Sequence, residues 1–134
     1  MKIIALATAF AALILPAPSA VAQDVAEGGA LYQWYCAACH GRDGTGAGPM
    51  APVLLVQPTD LTRLAANAEG VFPLLRVVMR IDGRDPLVSH GSAMPVYGPL
   101  FQGDEVALRT AAGQPVMMGR AVADLVTYLQ EIQQ

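Results

Sequence analysis

Hydrophobic positions divide the chain into stretches of distinct character. From Ile3 to Leu15 only Thr8 is polar, with Lys2 ahead of the run and a Pro/Ser/Ala stretch behind it. The run falls short of the about 20 apolar residues that span a bilayer, and Pro16 and Pro18 break its continuation as a helix. A basic start, an apolar middle and a small-residue end make a secretory signal. Ala20 and Ala22 place the cut between Ala22 and Gln23, giving residues 1–22 as a cleaved leader and 23–134 as one mature domain. Retention of the leader as an anchor is the alternative.

Beyond the leader the apolar period is helical. A first helix is predicted from about Asp24 to Ala38, with Asp24 as N-cap. A second starts near Thr59 or Asp60, whose side-chain oxygens can cap the free N–H groups of the next turn. In the centre, Val71, Leu74, Leu75, Val78 and Met79 recur at helical spacing, predicting a helix from Gly70 to Ile81. Pro73 is tolerated in its first turn, and Asp82-Gly83 ends it. A last helix follows Pro115, with Val122, Leu125, Val126 and Leu129 on one face. The glycine- and proline-dense segments 41–52 and 91–99 read as loops. No β signal is strong enough to require a sheet, and 101–115 is expected to add a short helix. The fold class is therefore all-α, with about four to five helices in one domain.

Charge narrows the partners. The full chain carries a formal charge of -3 and its only lysine is Lys2. Without the leader, 7 arginines face 11 acids, so nucleic acid is excluded as a partner. A domain this short builds a modest core that a buried cofactor could complete.

The chemistry concentrates in WYCAACHGRDG, which holds both cysteines, Cys36 and Cys39, and one of the two histidines, His40. A disulfide between the cysteines would close too small a loop to restrain the unfolded chain; it would be a redox pair, and a thioredoxin-like sheet has no signal here. Structural zinc needs about four protein ligands, and beyond these three only His90 and acids are left. C-x-x-C-H is the attachment signature of c-type haem. The two thiols form thioethers with the two vinyl groups of one haem, and the imidazole binds its iron. Because c-type haem is attached outside the cytoplasm in bacteria, the leader agrees with this reading independently.

The other axial position decides between electron transfer and ligand chemistry. Candidates are His90, Met50, Met79, Met94, Met117 and Met118. Met79 falls on the apolar face of the central helix, and Met50, Met117 and Met118 read as packing. Met94 sits in HGSAMPVYGP, where Gly91, Pro95, Gly98 and Pro99 forbid a helix; such a loop can aim a thioether at iron. His90 is the alternative ligand.

CAACHG, AMPVYG and DLVTYLQ together resemble the class I cytochromes c, small all-helical monohaem proteins. The resemblance implies helices wrapped around one haem c, bound covalently through Cys36 and Cys39, with His40 and Met94 as metal ligands. It also implies that the terminal helices cross, with Gly28 and Tyr32 against Leu125 and Tyr128. A proline carbonyl is expected to accept the second N–H of the haem histidine; Pro49 is preferred over Pro52. The segment from QPTDLTRL to RIDGR resembles a bacterial subgroup. Two departures stand out: no lysine outside the leader, where related carriers dock through a lysine ring, and some 20 residues between Met94 and the last helix.

Arg76, Arg80 and Arg84 recur every four residues and could mark one helix face that binds propionates or an acidic partner; solvated charge is the default reading. Arg84 is chosen as a haem propionate contact because it leads into the Met94 loop, and Tyr97 is a second choice by analogy with similar cytochromes. Arg42 is expected near the haem edge where a partner docks. The implied function is a periplasmic, monomeric electron carrier, not an enzyme, serving a dehydrogenase, reductase or oxidase. One alternative is a cytochrome subunit of an oxidoreductase complex. Another is a haem enzyme or gas sensor whose Met94 bond opens.

Overall fold

A computed structural model describes residues 23–86 and 92–134. The leader, the mid-chain residues 87–91 and with them His90 lie outside the described residues. Helix α1 spans Val25–Tyr35, and α2 follows at once over Ala37–His40. Three 3-10 turns, Ala51–Val53, Leu61–Arg63 and Ala66–Ala68, carry the chain to α3, Leu74–Asp82. Strands β1, Glu105–Arg109, and β2, Pro115–Gly119, precede α4, Arg120–Glu131.

Local chemistry explains most boundaries. The Asp24 carboxylate accepts the N–H groups of Ala26 and Glu27, as an N-cap should. The Asp60 side chain does the same for Thr62, but only a 3-10 turn follows instead of the expected helix. Helix α3 begins one residue after Pro73, which cannot donate to a preceding turn. It ends at Gly83, whose φ of 88° is the left-handed cap that glycine adopts without strain.

The core forms where α1 and α4 cross. Gly28 lies against the backbone of Asp124 and Leu125, and the rings of Tyr32 and Tyr128 stand 5.2 Å apart. Tyr32, Val78, Val122, Leu125 and Val126 are the largest fully buried side chains. The expected crossing of the terminal helices is present.

The expectation of an all-α chain is corrected. The segment read as an extra helix is an antiparallel hairpin, registered from Glu105 opposite Gly119 to Arg109 opposite Pro115, and α4 starts at Arg120 instead of just after Pro115. Val106 and Leu108 on β1, and Val116 and Met118 on β2, alternate with exposed neighbours. That period of two is a strand signal. The turn between the strands is closed by Thr110, which both donates to and accepts from the backbone around Gly113 and Gln114. The hairpin buries Val116 and Met118 beside Phe101 and α4.

Candidate functional site: a cavity beside the Cys-x-x-Cys-His segment

The cysteine motif occupies the bend between α1 and α2. The N–H groups of Cys39 and His40 both donate to the Cys36 carbonyl, winding one tight turn. Spacing of three and four residues in that turn puts Cys36, Cys39 and His40 along one wall of a single cavity. Both cysteines are free thiols. Burial, and next the charge of Cys39, push the Cys36 thiol up to about 11, so at neutral pH it stays protonated.

The glycine-rich loop after the motif folds another segment onto it. Gly46 donates to the His40 carbonyl at 2.7 Å, and Gly44 accepts from Leu61 at 2.7 Å. A Cβ on Gly46 would overlap the Pro58 carbonyl. This close approach brings the Thr59 carbonyl to 2.9 Å from His40 Nδ1. A carbonyl only accepts, so Nδ1 carries the proton and Nε2 keeps a lone pair for a metal. Thr59 thus fills the place expected of Pro49. Residues 48–50 instead dock on the other end of the motif, with Gly48 and Met50 donating to Cys39 and Ala38.

Helix α3 and the following loop form the opposite side. Val77 and Ile81 supply apolar surface, Arg76 and Arg80 supply charge, and Ser92, Ala93, Met94 and Pro95 close it. Met94 is half-buried against the core, and its N–H donates to Ser92 Oγ at 3.2 Å. Tyr97 reaches the cavity with its ring, which stacks on Phe101 at 5.6 Å. Its hydroxyl, however, donates to the Tyr35 carbonyl at 2.8 Å. Burial, followed by the charges of Cys36 and Cys39, raises its pKa.

Arg84 is outside this cavity. Its guanidinium binds Asp82 and donates to the Met117 carbonyl at 2.8 Å, tying the end of α3 to β2. Arg84, expected at a propionate, is thus engaged in a structural contact and is not among the residues that line the cavity. Sequence reading missed Thr59, because a backbone carbonyl has no side-chain signature. It took solvated charge as the default for Arg76 and Arg80, with a binding face as the alternative, whereas both line the cavity. Of the other methionines, Met118 is buried and Met50 and Met117 are exposed.

The cavity has a volume of about 680 Å³, within the range of about 300–1,000 Å³ typical of cofactor sites. Among the described residues its lining is mostly apolar and includes no carboxylate. Among the described residues no cluster of three His, Cys, Asp or Glu side chains forms, whereas structural zinc takes about four ligands. Two thiols and one oriented imidazole on the wall of a large apolar cleft fit a flat macrocycle held at one edge and ligated from below.

Comparison with protein families matches residues 23–113 to the model described as cytochrome c oxidase, cbb3-type, subunit III. Comparison with curated proteins and with solved structures gives no significant match.

Proposed function

The chain belongs to this family of c-type cytochromes, and from that premise we propose that it is an exported single-electron carrier with one haem c held between His40 and Met94. The observation that carries the proposal is that Cys36, Cys39, His40 and Met94 all line one cavity. Cys36 and Cys39 would supply the two thioether bonds, and His40, oriented by Thr59, would offer Nε2 to the iron. Met94, on the far side, offers an uncharged thioether, which favours the reduced state and raises the potential. Bound there, the haem would supply one-electron chemistry, with His40 and Met94 as the residues to hold its iron.

The protein's part is to hold those positions with little rearrangement. Tyr32, Leu125 and Leu129 exclude water on the core side, while Leu54 and Val56 cover the rim. A low-dielectric surround penalises the more highly charged oxidised state. Among the described residues no side chain in the lining forms a distal acid and base pair for cleaving peroxide, and His40 and Met94 would together occupy both sides of the group. We therefore assign a carrier role over a haem enzyme or gas sensor.

The export reading assigns residues 1–22 to a signal removed between Ala22 and Gln23, and the location to the periplasm. Among the described residues no helix is long and apolar enough to cross a membrane. A second reading has one specific support: the matched family is described as a subunit of a cbb3-type oxidase. On that reading the domain passes electrons within such a complex, through the same residues.

Covalent loading tests the proposal. The exported protein, denatured in acid, is expected to retain one haem in its intact mass and to begin at Gln23. Cys36→Ser with Cys39→Ser is expected to retain none. A wild-type chain that releases its haem on denaturation would contradict the assignment.

A further inference from the structure

We infer that Tyr97 is the positioning residue for Met94, bridging the two walls of the cavity and fixing where the Met94 loop stands between them; this role rests on the haem c reading above. The walls come from different elements. Cys36, Cys39 and His40 lie on the α1–α2 bend, whereas Val77 and Ile81 lie on α3. Tyr97 is bonded to both. Its backbone N–H donates to the Ile81 carbonyl at 2.8 Å. Its hydroxyl donates to the carbonyl of Tyr35 at 2.8 Å, one residue before Cys36.

The ring reinforces the same bridge. It stacks on Phe101 with centroids 5.6 Å apart and meets the Tyr35 ring edge-on at 6.0 Å, while Phe101 meets Tyr35 at 5.2 Å. Three mutually packed aromatics leave the Tyr97 ring little freedom to reorient. Its position passes to Met94 through a short, stiff link. Pro95 has a fixed φ and biases Met94 itself toward extended backbone. Val96 sits on Gly83, where a Cβ would overlap the valine side chain, and Gly98 sits on Asp82, where a Cβ would overlap the aspartate's backbone carbonyl. The chain after Met94 is therefore held on α3 by close packing and on α1 by the Tyr97 hydroxyl and ring. Met94, Pro95 and Tyr97 all line the cavity, so this clamp lies on the same face as the thioether it positions.

The consequence is retention of the ligand. An external ligand competes for the iron only in the fraction of molecules whose Met94 loop is open, so its apparent affinity rises with that fraction. The test is a titration of the oxidised holoprotein with imidazole at neutral pH, followed through loss of the weak red charge-transfer band, for wild type, Tyr97→Phe and Gly28→Ala. Tyr97→Phe keeps the ring and removes only the donor to the Tyr35 carbonyl. It is expected to bind imidazole about 5-fold more tightly than wild type. Gly28→Ala disturbs the α1–α4 crossing, and Gly28 does not line the cavity. That variant is expected to bind imidazole as wild type does, which separates positioning of Met94 from a general loss of stability. An unchanged affinity in Tyr97→Phe, or a shift in Gly28→Ala as large as that in Tyr97→Phe, would overturn the inference while leaving the covalent haem and its red band in place. A wild-type holoprotein without that band, or a band that survives Met94→Ala, would instead overturn the reading beneath it.

Discussion

Gly28 of α1 and Asp124 of α4 approach so closely that a Cβ on the glycine would overlap the aspartate's backbone carbonyl. The helices cross here, and nothing larger than hydrogen fits. The obstacle is backbone, which cannot rotate away as a side chain would. Gly28→Ala is therefore expected to cost about 1–3 kcal/mol through forced separation of the helices, read as a lowered midpoint in denaturant. Gly70→Ala is the contrast: its φ is 81° but a Cβ there meets nothing within 4 Å, so its cost is conformational strain alone.

Tyr32 couples that crossing to the haem motif. Its ring is fully buried, and its hydroxyl donates to the Gly41 carbonyl at 2.6 Å, just past His40. Desolvation, then the charges of Cys36, Tyr128 and Asp43, hold its pKa far above that of a free phenol. In the holoprotein the thiol contributions disappear while desolvation stays. The raised folded value means the folded state retains the proton more tightly than the unfolded chain. The stability it contributes is fully present below pH about 10 and is lost progressively above it. Tyr32→Phe should flatten the alkaline loss of stability, measured as denaturation midpoint against pH. It should lower the midpoint at neutral pH by about 1 kcal/mol, since the Gly41 carbonyl loses its donor.

Arg84 lies apart from the cavity that Arg76 and Arg80 line. Because its guanidinium clips α3 to β2 and does not face the cavity, Arg84→Gln should leave the haem potential unchanged. The ion pair is half-exposed, so its loss should cost no more than about 1 kcal/mol, read as faster amide exchange in the hairpin. A clear shift of the potential in Arg84→Gln would contradict this role.

Inside the hairpin, Met118 is 3% exposed and belongs to the same buried core as Phe101. Met118→Ala removes a buried side chain from a site that cannot collapse freely and is expected to cost about 2–5 kcal/mol. The exposed neighbour Met117→Ala should be nearly silent in the same thermal melt.

Where a residue's chemistry is local, it was legible before the structure. Asp24 caps α1 because an aspartate before an apolar period needs only its own two following N–H groups. Gly83 closes α3 through its own backbone freedom. Cys36, Cys39 and His40 share a cavity wall because they are within one turn. The hairpin was misread for a different reason. EVALR and PVMMG alternate correctly for strands, but each is short and rich in residues that also suit helices, so only cross-strand pairing decides between them. Likewise the acceptor for His40 depends on a loop closing over 19 residues, and no spacing near the motif encodes it. Arg76 and Arg80 differ from Arg84 only through the direction in which α3 docks, a property of tertiary packing.

The central claim is the pairing of His40 with Met94 across one haem. The visible spectrum of the oxidised holoprotein tests it most directly, through the weak red charge-transfer band of a sulfur-ligated low-spin ferric haem, recorded for wild type and Met94→Ala. The band is expected in wild type and absent in Met94→Ala, with the covalent haem retained in both. A wild-type spectrum lacking the band, or a band that survives Met94→Ala, would contradict the assignment.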